Sequence, residues 1–309
     1  MDTLPSCPVC RSQETLLWSA GKDYEYHSTD KEYFYYHCHR CNCIYIDPMP
    51  INDLKTIYPS NYYSFTKNKK NWAFRIKEYL DRRLFSKLLR NLNQDQINVL
   101  DVGGGNGWLL DLVKKMDERT GITQVVDIDP EARQEAEQNG HLYFEGRIEE
   151  FYTKHKFHLV LMLNLIEHVS NPEKVLQGIQ KILAPDGIIL IKTPNTQSWD
   201  AKLFRNSYWG GLHCPRHWVI FSEKGFRILL HQTSLAIESL EYTQGGPFWA
   251  FSIIANLSRK RILRTDRQRP VIFHPLFPVI SSLFAAFDFI RRPFAKTSQM
   301  FIVLRHKKT

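Results

Sequence analysis

The sequence predicts an α/β fold, built on a doubly wound parallel sheet with a metal-binding ribbon before it and a helical insertion near its end. Three observations support this prediction. An apolar run at 97–102 leads through a glycine-rich turn into an apolar pattern at helical spacing. Two cysteine pairs stand within the first 41 residues, and two apolar blocks separate the last two predicted strands.

The glycine-rich turn at 103–107 marks the opening half of a βαβ unit. Glycine suits this place because a ligand must approach the backbone closely and because the turn needs φ values that side chains resist. A dinucleotide-binding fingerprint would require a further glycine at position 108 or 110, where the chain has Trp108 and Leu110. The spacing therefore excludes that fingerprint.

The pattern Asp101-x-Gly103-x-Gly105-x-Gly107 resembles motif I of the class I S-adenosylmethionine (SAM) dependent methyltransferases. The resemblance implies a seven-stranded, Rossmann-like methyltransferase sheet with SAM as its cofactor. It also implies that the turn admits the methionine tail of SAM and that Asp101 meets the ammonium group through a water or a backbone amide. The alternative is a purely structural glycine turn.

A second predicted strand, at 122–128, carries Asp127 near its end, twenty positions after Gly107. A carboxylate there can accept hydrogen bonds from both hydroxyls of a ribose, because it offers two acceptor oxygens. We therefore expect Asp127 and its neighbour Ile128 in the cofactor site, against the alternative of a solvated strand end. Asp129 and Pro130 predict the start of the next helix.

The succession after the predicted strand at 157–163 resembles motifs IV to VI of the same superfamily. The strand ends at Asn164, which is followed by Glu167 and His168. A predicted helix at 171–183, a predicted turn at Pro185-Asp186-Gly187 and a further predicted strand at 188–192 come next. More narrowly it resembles ubiquinone-type O-methyltransferases and methyltransferases of polysaccharide and natural-product clusters. The resemblance covers roughly residues 97–242 and places Asn164 in the cofactor site.

One departure from the family concerns the adenine of SAM. Arg147 stands where the family commonly has an aspartate that contacts the adenine amino group. Because a guanidinium cannot accept a hydrogen bond, we expect adenine to be held by backbone groups near Arg147 and Ile148, or by stacking on apolar side chains.

Three histidines are candidates for the base that takes the proton of the methyl acceptor: His168, His213 and His217. A histidine is suited to this work near neutral pH, and methyl transfer otherwise depends mainly on positioning. His168 follows the fourth core strand, and His217 lies in a segment expected to cover the acceptor. We predict His168 and His217 as catalytic residues, with a purely structural hydrogen bond as the alternative for each.

The paired motifs Cys7-Pro-Val-Cys10 and Cys38-His-Arg-Cys41 predict a closed, structural zinc site in a reducing compartment. Cys43, His37 and His39 are alternative ligands at the second pair. The predicted organisation is a zinc ribbon and strap at 1–65, an amphipathic helix at 66–92 that caps the pocket, and a SAM-dependent methyltransferase core at 93–309, with an apolar insertion at 245–296.

The insertion contains apolar blocks at 247–257 and 271–290 with arginines beside them. Prolines, a histidine and an aspartate within the second block disfavour a true membrane span. Three alternatives stay open: peripheral contact of 247–292 with an anionic membrane surface, a greasy substrate entrance, and two helices packed on the core or on a second subunit. The sequence leaves the oligomeric state open.

The composition, with 43% apolar residues, suits one large core and an appendage, and the net charge of +9 is compatible with nucleic acid, an anionic membrane face or phosphorylated substrates. No signal peptide is recognised at the start, so we expect a cytoplasmic protein, peripheral at the inner membrane face if the insertion binds lipid. The predicted function is SAM-dependent O-methylation of a sugar hydroxyl or a related small-molecule, glycan or lipid-linked acceptor. The alternative is an RNA-binding or RNA-methylating protein that uses the ribbon, which the scarcity of cations between the cysteine pairs disfavours.

Overall fold

The computed structural model describes residues 5–59, 62 and 72–307. Within them the chain forms two sheets, of four and seven strands. The strands are β1 (Thr15–Gly21), β2 (Tyr33–Cys38), β3 (Ile44–Ile46), β4 (Ile97–Val102), β5 (Thr120–Asp127), β6 (Leu142–Glu145), β7 (Phe157–Leu163), β8 (Leu183–Pro194), β9 (Val219–Ile220), β10 (Leu235–Thr243) and β11 (Gln299–His306). The helices are α1 (Leu54–Ile57), α2 (Trp72–Arg90), α3 (Trp108–Met116), α4 (Pro130–Gln138), α5 (Pro172–Ile182), α6 (Trp199–Leu203), α7 (Glu223–Leu229), α8 (Gly246–Arg259) and α9 (Leu276–Arg291).

The seven-stranded sheet has the order β6-β5-β4-β7-β8-β11-β10. Strands β4 to β8 are parallel, and β11 runs antiparallel to both of its neighbours. This confirms the predicted doubly wound, Rossmann-like methyltransferase sheet. Because successive strands lie on opposite sides of β4, a ligand crevice is expected at the carboxyl ends of β4 and β7.

Alternate residues of the parallel strands pack into two apolar layers on opposite faces of the sheet. On β4, Ile97 and Val99 belong to the layer that contains α2 and α3, whereas Leu100 and Val102 belong to the layer that contains α5 and α7. Burial on both faces explains why these strands are nearly continuous apolar runs.

The predicted amphipathic helix is observed as α2. Its apolar residues Phe85, Leu88 and Leu89 are buried in the layer that contains α3. Residues 63–71 and the side chains of residues 72–77 lie outside the described part of the chain. The predicted capping of the pocket by this helix therefore stays a prediction.

The turn predicted at Pro185-Asp186-Gly187 is wrong, because these residues lie inside the continuous strand β8. Phe157 of β7 pairs with Leu183, and Leu159 pairs with Ile188. The extra residues between these two pairs form a β-bulge, which accommodates the proline and the glycine without ending the strand.

The ribbon sheet is completed by the core. Its order is β1-β2-β3-β9, and β9 comes from the core segment between α6 and α7. Ile44 pairs with Ile220 and Tyr45 pairs with Val219, so backbone hydrogen bonds join the two parts of the chain. The N-terminal module is therefore continuous with the segment that was predicted to cover the acceptor.

The insertion between β10 and β11 consists of α8 and α9. Helix α8 is largely buried, whereas α9 leaves Val279, Leu283 and Ile290 more than 60% exposed. Among the described residues, no helix has the length and hydropathy needed to cross a bilayer.

Candidate active site

The glycine turn adopts backbone conformations that suit glycine. Gly103, Gly105 and Gly107 have φ values of +76°, +52° and +78°. A Cβ on Gly107 would also lie 2.6 Å from Cδ2 of His141. Glycine at these positions therefore lets the turn join β4 to α3 and leaves the crevice above it open.

Two acids, Asp101 and Asp127, lie next to the turn. The buried Asp101 lies beneath it, since a Cβ on Gly104 would be 2.7 Å from Cγ of Asp101. Asp127 accepts hydrogen bonds from the backbone N–H groups of Gly105, at 2.8 Å, and of Asp129, at 3.1 Å. Burial raises the pKa of Asp127. Each carboxylate oxygen of Asp127 has a second lone pair that can accept from a ligand.

An open cavity lies at the carboxyl ends of β4, β5 and β7. It is lined by six of the predicted cofactor residues, Gly103, Asp127, Ile128, Arg147, Ile148 and Asn164. Asp101, Gly105 and Gly107 shape the turn without lining the cavity. The lining also includes Tyr58, Tyr62, His168 and Trp218. One cavity thus joins the predicted cofactor residues to one predicted catalytic histidine.

Arg147 and Asn164 are held in place by neighbouring side chains. Arg147 donates to Glu149, at 2.5 Å, and to Ser170, at 3.1 Å. Asn164, with a φ of +55°, accepts at Oδ1 from Gln299 of β11. The side chain of Arg147 is therefore bonded to an acid and a hydroxyl, and Arg147 and Ile148 both line the cavity.

His168 lies at the cavity and His217 lies behind it. Nδ1 of His168 is 2.9 Å from Oη of Tyr58 and 3.0 Å from the carbonyl oxygen of Arg216. Burial, reinforced by His213, lowers the pKa of His168 to about 3. Nδ1 of His217 donates to the carbonyl of Gly211 at 2.8 Å, and burial also lowers the pKa of His217. Both rings are therefore neutral near pH 7.

Glu167 completes a buried group with these two histidines. One donor atom of each residue lies within 4.8 Å of the other two. The Glu167 carboxyl is fully buried, has no hydrogen-bond partner among the described residues, and has a pKa raised by burial to about 8. The carboxyl is therefore mostly protonated at neutral pH.

A second buried polar group links the ribbon to the segment at 208–217. Asp23 forms an ion pair with Arg216 at 2.6 Å, and both side chains are fully buried. Glu25 contacts His213 and accepts from Tyr208. The sequence analysis missed both acids and the cavity role of Tyr58 and Tyr62. Two acids in the otherwise aromatic segment 23–26 were the available signal, since buried carboxylates need partners.

The four predicted zinc ligands come together in the ribbon. Sγ of Cys7 is 3.5 Å from Sγ of Cys41, and Sγ of Cys10 is 3.4 Å from Sγ of Cys38. All four thiols are free and buried, and their sulfur atoms lie within 4.8 Å of one another. A tetrahedral ion with Zn–S bonds of about 2.3 Å fits between them. Cys43, His37 and His39 lie outside this cluster among the described residues.

The fold and the cavity define the class of protein: a class I SAM-dependent methyltransferase fold with an N-terminal cysteine ribbon. The chain belongs to the methyltransferase-domain family, since the model of the family described as "Methyltransferase domain" matches residues 76–240. The predicted resemblance is thereby confirmed.

Two curated relatives are ubiquinone biosynthesis O-methyltransferases. The protein of Glaesserella parasuis is 31% identical over 147 residues, which cover 42% of this chain and 62% of the relative. The mitochondrial protein of Dictyostelium discoideum is 32% identical over 146 residues, which cover 40% of this chain and 44% of the relative. The chain thus spans less than two thirds of the length of these relatives.

A solved structure shares the fold. Coclaurine N-methyltransferase, bound to N-methylheliamine and S-adenosylhomocysteine (SAH), matches with a TM-score of 0.52 at 16% identity. The match covers 82% of this chain and 81% of that chain. At this identity the comparison supports the architecture alone.

Proposed function

We propose that this chain transfers the methyl group of SAM to a hydroxyl group of a sugar or of a related small-molecule or lipid-linked acceptor. The observation that carries the proposal is the single cavity in which Gly103, Asp127 and Asn164 meet His168 and Tyr58. The name that the curated relatives share supports oxygen as the methylated atom.

The residues present fit SAM. The turn at 103–107 leaves room for the methionine tail, Asp127 can accept from the ribose hydroxyls, and the backbone at 147–148 can meet the adenine. SAM supplies a methyl group that is already activated by its sulfonium. The protein therefore has to position the two reactants and exclude water. His168, neutral and at the cavity wall, is proposed to contact the acceptor hydroxyl.

The cofactor site is tested by calorimetry with SAM and SAH. We expect wild type to bind both, and Asp127→Ala to bind at least tenfold more weakly, because two hydrogen bonds to a charged group are lost. Asp186→Ala is the matched control, since this exposed acid lies in the bulge of β8. Failure of wild type to bind either ligand, or equal affinity of Asp127→Ala, would contradict the proposal.

We also propose that the four cysteines hold structural zinc and that α9 makes peripheral contact with an anionic lipid surface. The contact is narrower than the predicted 247–292, because α8 is largely buried. Between Leu276 and Ile290 the exposed face of α9 carries no charged side chain, and Asp288 is buried. Cations stand before and after α9, at 259–269 and at 291–296. An apolar face with basic ends suits the surface of an anionic bilayer.

The lipid contact is tested by cosedimentation with anionic vesicles at low salt. Leu283→Glu should abolish binding, and Arg261→Glu combined with Arg264→Glu should weaken it, because each cation contributes about 1 kcal/mol near anionic lipid. Leu142→Glu is the matched control, since this exposed leucine lies on β6 at the opposite edge of the sheet. Wild type that stays in the supernatant would favour a soluble acceptor.

A further inference from the structure

A chain of hydrogen bonds leads from the ribbon to the cavity. Glu25 Oε2 is hydrogen-bonded to Nδ1 of His213, and Nε2 of His213 lies 3.0 Å from Oη of Tyr62. Tyr208 donates to the other oxygen of Glu25 at 2.7 Å. Glu25, His213 and Tyr62, named here the relay, are all buried.

The partners decide which ring nitrogen of His213 carries the proton. A carboxylate can only accept, so Nδ1 holds the hydrogen that faces Glu25. Nε2 then keeps its lone pair and accepts the hydroxyl proton of Tyr62. The relay therefore has the order carboxylate, imidazole and phenol, in which each group orients the next.

Tyr62 reaches the cavity, whereas His213 does not line it. The tyrosine beside it, Tyr58, is bonded instead to His168, which has no carboxylate at hydrogen-bond distance among the described residues. Burial holds the pKa of His168 at about 3, so this ring is a poor place for a proton. A proton on His213 would face the carboxylate of Glu25.

We propose that Tyr62 is the catalytic residue that takes the proton of the acceptor, with His213 and Glu25 as its positioning residues. This inference rests on the proposed methyl transfer. The hydroxyl proton of the acceptor passes to Oη of Tyr62 while the phenol proton passes to Nε2 of His213. The acceptor oxygen forms a bond to the methyl carbon, the bond from that carbon to sulfur breaks, and its electron pair stays on sulfur in neutral SAH.

Among the described residues, the guanidinium of Arg216 and the phenols of Tyr58 and Tyr26 also face Tyr62. The guanidinium of Arg216, paired with Asp23, lies 5.6 Å from the centre of the Tyr62 ring. The rings of Tyr58 and Tyr26 lie at 5.1 Å and 5.3 Å. A cation at this distance favours a negative charge on Tyr62, and the two phenols carry no opposing charge at neutral pH.

The relay is tested first without an acceptor, by ultraviolet titration of tyrosinate in the SAH complex. The difference between wild type and Tyr62→Phe should show a tyrosinate that forms at least one pH unit below the ordinary value of about 10. Glu25→Gln should raise the pH at which this tyrosinate forms by at least one unit. Tyr58→Phe is the matched control, and its difference should show a tyrosine that titrates at about 10 or above.

Ordinary titration of Tyr62, or the same titration in wild type and Glu25→Gln, would overturn the relay. If Glu25→Gln does not fold, His213→Gln replaces it and should abolish the early tyrosinate. Wild type that does not bind SAH contradicts the proposed function, whereas SAH binding with an ordinary Tyr62 contradicts the relay alone. With an acceptor whose hydroxyl group the protein methylates, Tyr62→Phe should lower kcat by about 10²-fold or more with little change in KM.

Discussion

At the scale of single residues, the site is distinguished by ionisable groups whose charge depends on burial and partner. Asp23 and Arg216 are both charged, because they form an ion pair. Burial alone would raise the pKa of Asp23, but the Arg216 guanidinium and the hydrogen bonds to the carboxylate lower it. The carboxyl of Glu167 lies 3.9 Å from Nε2 of the neutral His217, has no hydrogen-bond partner among the described residues, and is mostly protonated near pH 7. Proximity to a cation thus decides which buried acid keeps its charge.

We predict that Glu167→Gln removes a pH dependence of stability. The folded-state pKa of about 8 lies above the ordinary value of 4.5, so the unfolded chain loses this proton first. Wild type should therefore lose a few kcal/mol of unfolding free energy as the pH rises from about 4.5 to about 8. Urea unfolding across this range should show a flatter profile for Glu167→Gln. Parallel profiles of the two proteins would show that Glu167 is ionised in the folded state.

At the scale of elements, the turn between β4 and α3 shapes the proposed cofactor site. Its geometry depends on residues without side chains, at positive φ, above a buried acid and beside His141. Gly178 in α5 has no such constraint, since a Cβ there would meet nothing within 4 Å. Replacement of glycine by alanine is therefore expected to have opposite effects at Gly107 and at Gly178.

We predict that Gly107→Ala weakens SAH binding at least tenfold and destabilises the fold by more than about 1 kcal/mol, because alanine resists a φ of +78° and would collide with His141. Gly178→Ala in α5 is the matched control, since a Cβ there meets nothing within 4 Å. It should stabilise the chain by up to about 1 kcal/mol. Calorimetry and thermal unfolding test both variants, and a Gly107→Ala protein that behaves like Gly178→Ala would refute the argument.

At the scale of the whole molecule, the ribbon and the core form one structure. Strand β9 of the core completes the ribbon sheet, and two ribbon acids hold the segment that contains His213 and Arg216. The ribbon that contains the cysteine cluster is thus connected to the cavity by contacts between residues that are far apart in the sequence. Loss of the proposed zinc should therefore also alter the proposed cofactor site.

We predict one zinc per chain and its loss in Cys10→Ser. The variant should unfold about 10 °C lower and bind SAH more weakly, because the ribbon no longer supports the segment beside the cavity. Cys43→Ser is the matched control and should keep its zinc, since Cys43 lies outside the cluster. Metal analysis and thermal unfolding give the readouts. Zinc loss in Cys43→Ser, or an unchanged protein after removal of zinc, would contradict this account.

The sequence by itself determined the architecture. Strand β4, its glycine turn and Asp127 are local patterns, in which burial on both faces and the need for positive φ restrict the residue types directly. The cysteine spacing likewise indicated the four thiols that come together. These features were predictable because short-range geometry links each of them to its neighbours in the chain.

The tertiary structure alone decided how distant residues meet. Glu25 and His213 are 188 residues apart, Tyr62 and His213 are 151 apart, and neither separation leaves a periodic signal. It also decided that His168 lies at the cavity while His217 lies behind it, and that α9 is exposed while α8 is buried. Long-range packing sets burial and charge, and these set the protonation of each group, so the chemistry of the site depends on contacts that local sequence does not encode.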